Sequence, residues 1–123
     1  MKKISLIGCG RWGTFLGWYA GNYCGFDQVD MYDIPTSPNF IELRDTRKNP
    51  YLSLSDNMIL HDKIEDVLKN DIIIVSIGCQ HFRSLCRQLN GFDVRGRTFL
   101  LAMKGLELSL IHISEPTRHL RIS

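Results

Sequence analysis

The chain has 123 residues, 44% of them apolar and 23% charged, with a formal charge of +2. That length and balance suit one ordinary globular domain, and the absence of a basic block gives no reason to expect nucleic acid or an anionic membrane as a partner. The longest apolar runs, "IIIVSIG" and "TFLLAM", are too short to span a bilayer. "MKKISLIG" begins like a secretion signal, but Gly8, Gly10 and Arg11 interrupt it and no small-residue cleavage site follows, so it reads as the first strand of a cytoplasmic protein.

Residues Lys3 to Ile7 form that strand. From Trp12, apolar residues recur at Phe15, Leu16, Tyr19, Ala20 and Tyr23, the stripe of an amphipathic helix, which Gly25 can end. "QVDMYD" is a second strand, closed by the prolines of "IPTSP". Residues 38–47 hold a short helix, "RKNPYLSLSDN" is a loop and "MILH" a weak third strand. In "DKIEDVLKN", Asp62 and Glu65 have the spacing of a capping box, with Ile64, Val67 and Leu68 on one helical face and Asn70 as the stop. "DIIIVSI" is a continuous apolar run, as in a parallel strand covered on both faces. Phe82, Leu85, Cys86 and Leu89 mark a further helix, and "RGRTFLLAM" a fifth strand ending at Lys104. Strands alternating with helices indicate an α/β fold with a parallel sheet and right-handed crossovers.

The four cysteines, Cys9, Cys24, Cys79 and Cys86, form no C-x-x-C pair and read as reduced structural thiols. His61 and His81 are too few for a metal cluster, so no metal is expected.

Gly8, Gly10 and Gly13 form a G-x-G-x-x-G motif between the first strand and the first helix. In that context Gly8 makes a tight turn, Gly10 lets a pyrophosphate approach the backbone, and Gly13 lets helix and strand pack closely. The helix N-terminus then offers free N–H groups and partial positive charge to phosphates. Asp33 ends the second strand 20 residues after Gly13, where an acid grips ribose hydroxyls and repels a 2′-phosphate. Ile34 and Pro35 supply no arginine to receive such a phosphate, which favours NAD over NADP. Ser76, Gly78 and Gln80 follow the fourth strand, at the sheet end where such folds bind ligands. Lys104 follows the fifth, and alone reads as a solvated strand end. The fold class is therefore a Rossmann-type doubly wound parallel sheet of about five strands.

"GCGRWGT", "RKNPYLS", "DIIIVSIGCQ" and "LLAMKGLE" stand in the order and spacing of the N-terminal domain of NAD(P)-dependent glycerol-3-phosphate dehydrogenase, which residues 3–107 resemble. The tryptophan inside the glycine motif, Trp12, and the K-G-x-E stretch from Lys104 are the most specific elements. The resemblance implies that backbone at Gly8, Gly10, Arg11, Trp12 and Gly13 holds the cofactor phosphates and Asp33 the adenosine ribose. Gln80 and His81 would lie near the cofactor, and Lys104 would face the substrate as its carbonyl oxygen becomes an alkoxide. The implied reaction is hydride transfer between NAD(H) and glycerol 3-phosphate or dihydroxyacetone phosphate. The family's general acid/base lysine and most of its substrate-phosphate site lie in a helical C-terminal domain that this chain does not contain. A homodimeric full-length parent stays open.

Three residues depart from the family pattern. Arg11 replaces a small polar residue, leaving a phosphate contact and a solvated side chain both open. Gly78 stands where proline is common, which predicts a looser turn, and His81 where an aromatic or apolar residue is common. Residues 108–118, "LSLIHISEPTR", resemble the in-frame translation of a sequencing-library adapter, so 1–107 is taken as the partial domain and 108–123 as a non-native tail. The alternatives are a related dehydrogenase acting on a different hydroxy or imino substrate, and a dinucleotide-sensing module without chemistry.

Overall fold

The structure, a computed structural model, describes residues 2–102 and 120–122. Six strands form one parallel sheet: β1 (Lys3–Ile7), β2 (Gln28–Tyr32), β3 (Met58–His61), β4 (Ile72–Val75), β5 (Thr98–Leu101) and β6 (Leu120–Ile122). Their spatial order is β3-β2-β1-β4-β5-β6, the doubly wound dinucleotide-binding order. The order in which strands are added therefore reverses between β1 and β4, although the strands stay parallel. The five strands expected from sequence are all present, and residues 120–122, expected to lie in a tail, pair with β5 as a sixth. Lys104 and the adapter-like stretch lie outside the described residues.

Strand alternation sorts the core into two layers. Ile4, Leu6, Val29, Met31 and Met58 face helices α1 (Arg11–Tyr23) and α2 (Pro38–Thr46), which adds Phe40 and Leu43. Ile7, Tyr32, Ile73, Val75, Phe99 and Leu101 face the other way, toward α3 (Cys79–Leu89) and the segment after β3. The predicted α3 stripe holds: Phe82, Leu85, Cys86 and Leu89 are all buried. In β4, Ile73 and Val75 are buried, whereas Ile72 and Ile74 are half-buried, so its two faces are covered unequally.

The face predicted for α1 is largely inverted. Of its stripe only Ala20 is buried; Phe15, Tyr19 and Tyr23 point to solvent and Leu16 is half-buried. Gly13, Thr14 and Gly17 complete the buried face. A Cβ on Gly17 would stand 3.3 Å from Leu6 Cδ2 and 3.4 Å from Val29 Cγ1, so the helix rests on the sheet through residues with almost no side chain. Close backbone approach, rather than bulk, decides which face turns inward.

The predicted helix at 62–70 is also corrected. Only a 3₁₀ turn, Ile64–Asp66, forms, and its N-cap, Lys63, makes no capping hydrogen bond. Residues 62–71 must carry the chain from β3 past β2 and β1 to β4, about 14 Å sideways, and also back along the length of a parallel strand, about 10 Å more; that diagonal exceeds the roughly 15 Å that ten helical residues span, leaving little length for compact helix. Ile64, Val67 and Leu68 are nevertheless buried as the pattern required.

A polar knot is buried beside this turn. Asp30, 4% exposed, accepts hydrogen bonds from Gln28 Nε2 and Asn70 Nδ2, both 2.8 Å, and pairs with His61 Nε2 at 2.8 Å. Asn70 Nδ2 also donates to Ser5 Oγ, whose hydroxyl donates to the Val67 carbonyl. The knot ties β1, β2, β3 and the crossover together and gives Asn70 a structural role beyond helix termination.

Candidate functional site: a crevice at the sheet reversal

β1 and β4 lead their chains to opposite sides of the sheet, which opens a crevice beyond their carboxyl ends. Gly8 leaves β1 with φ +106°, and its amide donates to the Tyr32 carbonyl at 2.8 Å. A Cβ on Gly8 would lie 2.1 Å from Ser76 O, and one on Gly13 would lie 2.2 Å from Gly8 O. Both glycines are fixed by backbone packing. Thr14 reinforces the turn by donating from Oγ1 to the Cys9 carbonyl at 3.0 Å.

Gly10 differs. It is the N-cap of α1 at φ −71°, a value open to any residue, and the nearest protein atom to its Cβ position is Asn39 Nδ2, 4.0 Å away. Among the described residues, nothing requires glycine there. The missing side chain leaves an opening at the helix end, where a ligand can approach the amides.

The crevice has a volume of about 680 Å³, within the usual range for cofactor sites. The N-termini of three helices border it: Gly10 before α1, Ser37, Pro38 and Asn39 of α2, and Gly78, Gln80 and His81 of α3. None of the three has a side-chain cap or an acidic residue in its first turn. Unsatisfied N–H groups and three positive dipole ends therefore converge on one space, an arrangement suited to an anion.

Asp33 stands at the edge of that space. Its Oδ2 accepts from the Cys9 amide at 3.1 Å and its Oδ1 from the Ile34 amide at 2.8 Å. Two backbone donors thus orient the carboxylate while lone pairs stay open for a diol. Among the described residues, no lysine or arginine lines the crevice. Cys9 is 1% exposed; burial, helped by the negative charge of Asp33, pushes its thiol far up, so it is no nucleophile.

The structure brings Gly8, Gly10, Asp33, Gln80 and His81 to one crevice, with Gly13 packed beneath its floor. Trp12 is 56% exposed and stacks on Phe15. Arg11 lies over the Tyr51 ring at 4.7 Å and lines an adjoining cavity of about 400 Å³ that meets the crevice at Gly10 and Asn39. Gly78 holds φ −66°, a value proline also adopts, so the replacement leaves the turn's φ ordinary. Sequence spacing missed Tyr32, Ser37, Asn39, Ser84 and Gln88, all of which line the crevice. Only the α2 N-terminal pattern, Ser37-Pro38, hinted that a second helix end points there.

The comparisons with known proteins agree with this geometry. Glycerol-3-phosphate dehydrogenase (NAD(P)+) of Wolbachia pipientis subsp. Culex pipiens (strain wPip) is 30% identical over 113 residues, covering 89% of this chain and 34% of the relative. Glycerol-3-phosphate dehydrogenase (NAD(+)) 1 of Saccharomyces cerevisiae (strain ATCC 204508 / S288c) is 28% identical over 135 residues, covering 92% and 34%. The solved glycerol-3-phosphate dehydrogenase of Coxiella burnetii superposes with a TM-score of 0.82 at 15% identity, over 98% of this chain and 39% of that one, a likeness of fold. The chain thus spans about a third of the length of the curated relatives it matches. Residues 3–119 match the family described as NAD-dependent glycerol-3-phosphate dehydrogenase N-terminus, and the chain belongs to that family.

Proposed function

We propose that this chain is the cofactor-binding part of an NAD-dependent glycerol-3-phosphate dehydrogenase. One observation carries the reading: three helix ends without side-chain caps converge on a crevice in which no described residue of the protein requires Gly10 to be glycine. The cofactor pyrophosphate would lie over Gly10 and the amides of Arg11, Trp12 and Gly13. Asp33 would take the adenosine ribose hydroxyls, and Gln80 and His81 would border the cofactor from the α3 side. Bound NAD supplies the hydride acceptor. In the whole enzyme, hydride would leave C2 of glycerol 3-phosphate as the C2 hydroxyl loses its proton, giving dihydroxyacetone phosphate, with Lys104 beside that oxygen.

The lining favours NAD over NADP, because a 2′-phosphate would meet the Asp33 carboxylate and, among the described residues, no lining arginine or lysine. Among the described residues, no helix is long and apolar enough to cross a membrane and no cluster of His, Cys, Asp or Glu could hold a metal ion. We assign the enzyme to the cytoplasm and read residues 108–118 as a foreign sequence after the native Glu107. Source DNA that continues natively through "LSLIHISEPTR" would overturn that boundary.

Calorimetric titration with NADH and NADPH tests the reading. NADH should bind at least tenfold more tightly, and Asp33→Ala should remove the preference; equal affinities in the unmodified chain would undo it. Because the chain spans a third of its relatives, it should bind without turnover. Formation of NADH from NAD and glycerol 3-phosphate by this chain alone would contradict that division of labour.

A further inference from the structure

The positive end of α1 carries a cation. Arg11 is the first residue of that helix, where the dipole disfavours positive charge, and no acid in the first turn offsets it. Among the described residues its guanidinium has no hydrogen bond and no ion pair, not even with Glu42, which lines the same cavity. It rests on the Tyr51 ring, with Cζ 4.7 Å from the centroid. That ring is 64% exposed, and Asn49 fixes its loop by accepting from the amides of Tyr51 at 2.8 Å and Leu52 at 3.0 Å.

The cavity that Arg11 lines opens into the crevice at Gly10 and Asn39, and among the described residues Arg11 is the one cation lining either space. A diphosphate at the helix end meets amides there but no full positive charge. Resting on the cofactor reading above, we propose that Arg11 is a side-chain clamp for that diphosphate. Its guanidinium leaves Tyr51, crosses Gly10 and forms a forked pair with the phosphate oxygens.

Reach and strength both allow the exchange. The α-carbons of Gly10 and Arg11 are about 3.8 Å apart, less than the length of an extended arginine side chain, so the backbone stays in place. The path is open, because the nearest described atom to a Cβ on Gly10 is Asn39 Nδ2 at 4.0 Å. A cation over an exposed ring is weakly held, whereas a forked guanidinium–phosphate pair is among the stronger polar contacts. Without the anion the ring keeps Arg11 out of the crevice; with it the stronger partner takes over. Asp33, the acid at the crevice edge, is already oriented by the Cys9 and Ile34 amides.

Calorimetry with NADH, NADPH and ADP-ribose tests the proposal on the parent and three variants. Arg11→Met, at an exposed position, should keep the parent's far-ultraviolet circular dichroism and urea midpoint yet bind all three ligands about tenfold more weakly. Arg11→Lys, which keeps the charge and loses the fork, should fall between the two. Tyr51→Leu should bind at least as tightly as the parent, since it removes only the resting place. In the parent itself, the Arg11 Nε–Hε NMR signal should move on adding ADP-ribose, which a guanidinium that merely packs on Tyr51 would not do. Unchanged affinity in Arg11→Met, a still Nε–Hε signal, or a Tyr51→Leu loss as large as that of Arg11→Met would overturn the clamp and leave the cofactor reading intact. A penalty confined to NADPH would also overturn it, by moving Arg11 to the 2′-phosphate. A parent that binds none of the three ligands would sink the cofactor reading and the clamp with it.

Discussion

Replacing Gly10 by alanine separates ligand binding from folding more sharply than any other single change in the glycine turn. The backbone at residue 10 already lies in a region open to alanine, and the added methyl would be 4.0 Å from its nearest neighbour. The cost to the fold is only that of alanine in place of glycine at an N-cap, about 0.5–1 kcal/mol. The methyl would, however, fill the opening over the α1 amides. Losing a charge-assisted hydrogen bond to pyrophosphate there costs about 2–3 kcal/mol, or roughly 30- to 150-fold in Kd. Gly13→Ala is the contrasting control: its methyl would sit 2.2 Å from the Gly8 carbonyl oxygen, and overpacking of that kind costs about 3 kcal/mol or more. Urea unfolding and NADH calorimetry on the two variants should therefore diverge, with Gly10→Ala folded but binding poorly and Gly13→Ala unstable. A Gly10→Ala protein that binds NADH as the parent does would refute the placement of pyrophosphate at this helix end.

Two further outcomes follow from the packing. Gly17→Leu should destabilise the chain by about 3 kcal/mol, because the side chain must enter the α1–sheet contact, whereas Tyr19→Ala should change stability by less than about 0.5 kcal/mol; comparable urea midpoints for the two would mean that the helix faces the other way. Burial alone would raise the Asp30 carboxyl, but hydrogen bonds from Asn70, His61 and Gln28 outweigh it and hold the group below the usual carboxylate range. Asp30→Ala should cost about 3 kcal/mol near neutral pH through the donors it strands. Since the folded pKa lies below the unfolded one, that stabilisation is complete above about pH 4 and fades as pH falls through the folded value. The gap between parent and variant in urea should narrow in acid, and a gap independent of pH would contradict the direction of the shift.

The sheet was legible because its strands are short apolar runs bounded by glycine, proline or charge, and β1–α1–β2 carried the additional signature of Gly8, Gly10, Gly13 and Asp33. The orientation of α1 was not, because hydrophobic periodicity counts Phe15 and Tyr19 as inward and assigns nothing to Gly13 and Gly17, while the sheet selects whichever face allows closest approach. The Asp62–Glu65 spacing looked like a capping box, yet the crossover path, a tertiary constraint, left room for only one 3₁₀ turn. Asn39 and Gln88 reach the crevice from segments distant in sequence, and only the fold brings them beside Asp33. The Asp30 knot joins residues up to 65 positions apart and was invisible for the same reason.

Amide NMR spectra recorded during an NADH titration test the central claim most directly. Binding at the helix ends predicts the largest shifts at Gly10 to Gly13, at Ile34 beside Asp33, and at Gln80 and His81, with little change along β3. Shifts concentrated on the outer face of α1 or at the β3 edge, or none at millimolar NADH, would contradict it.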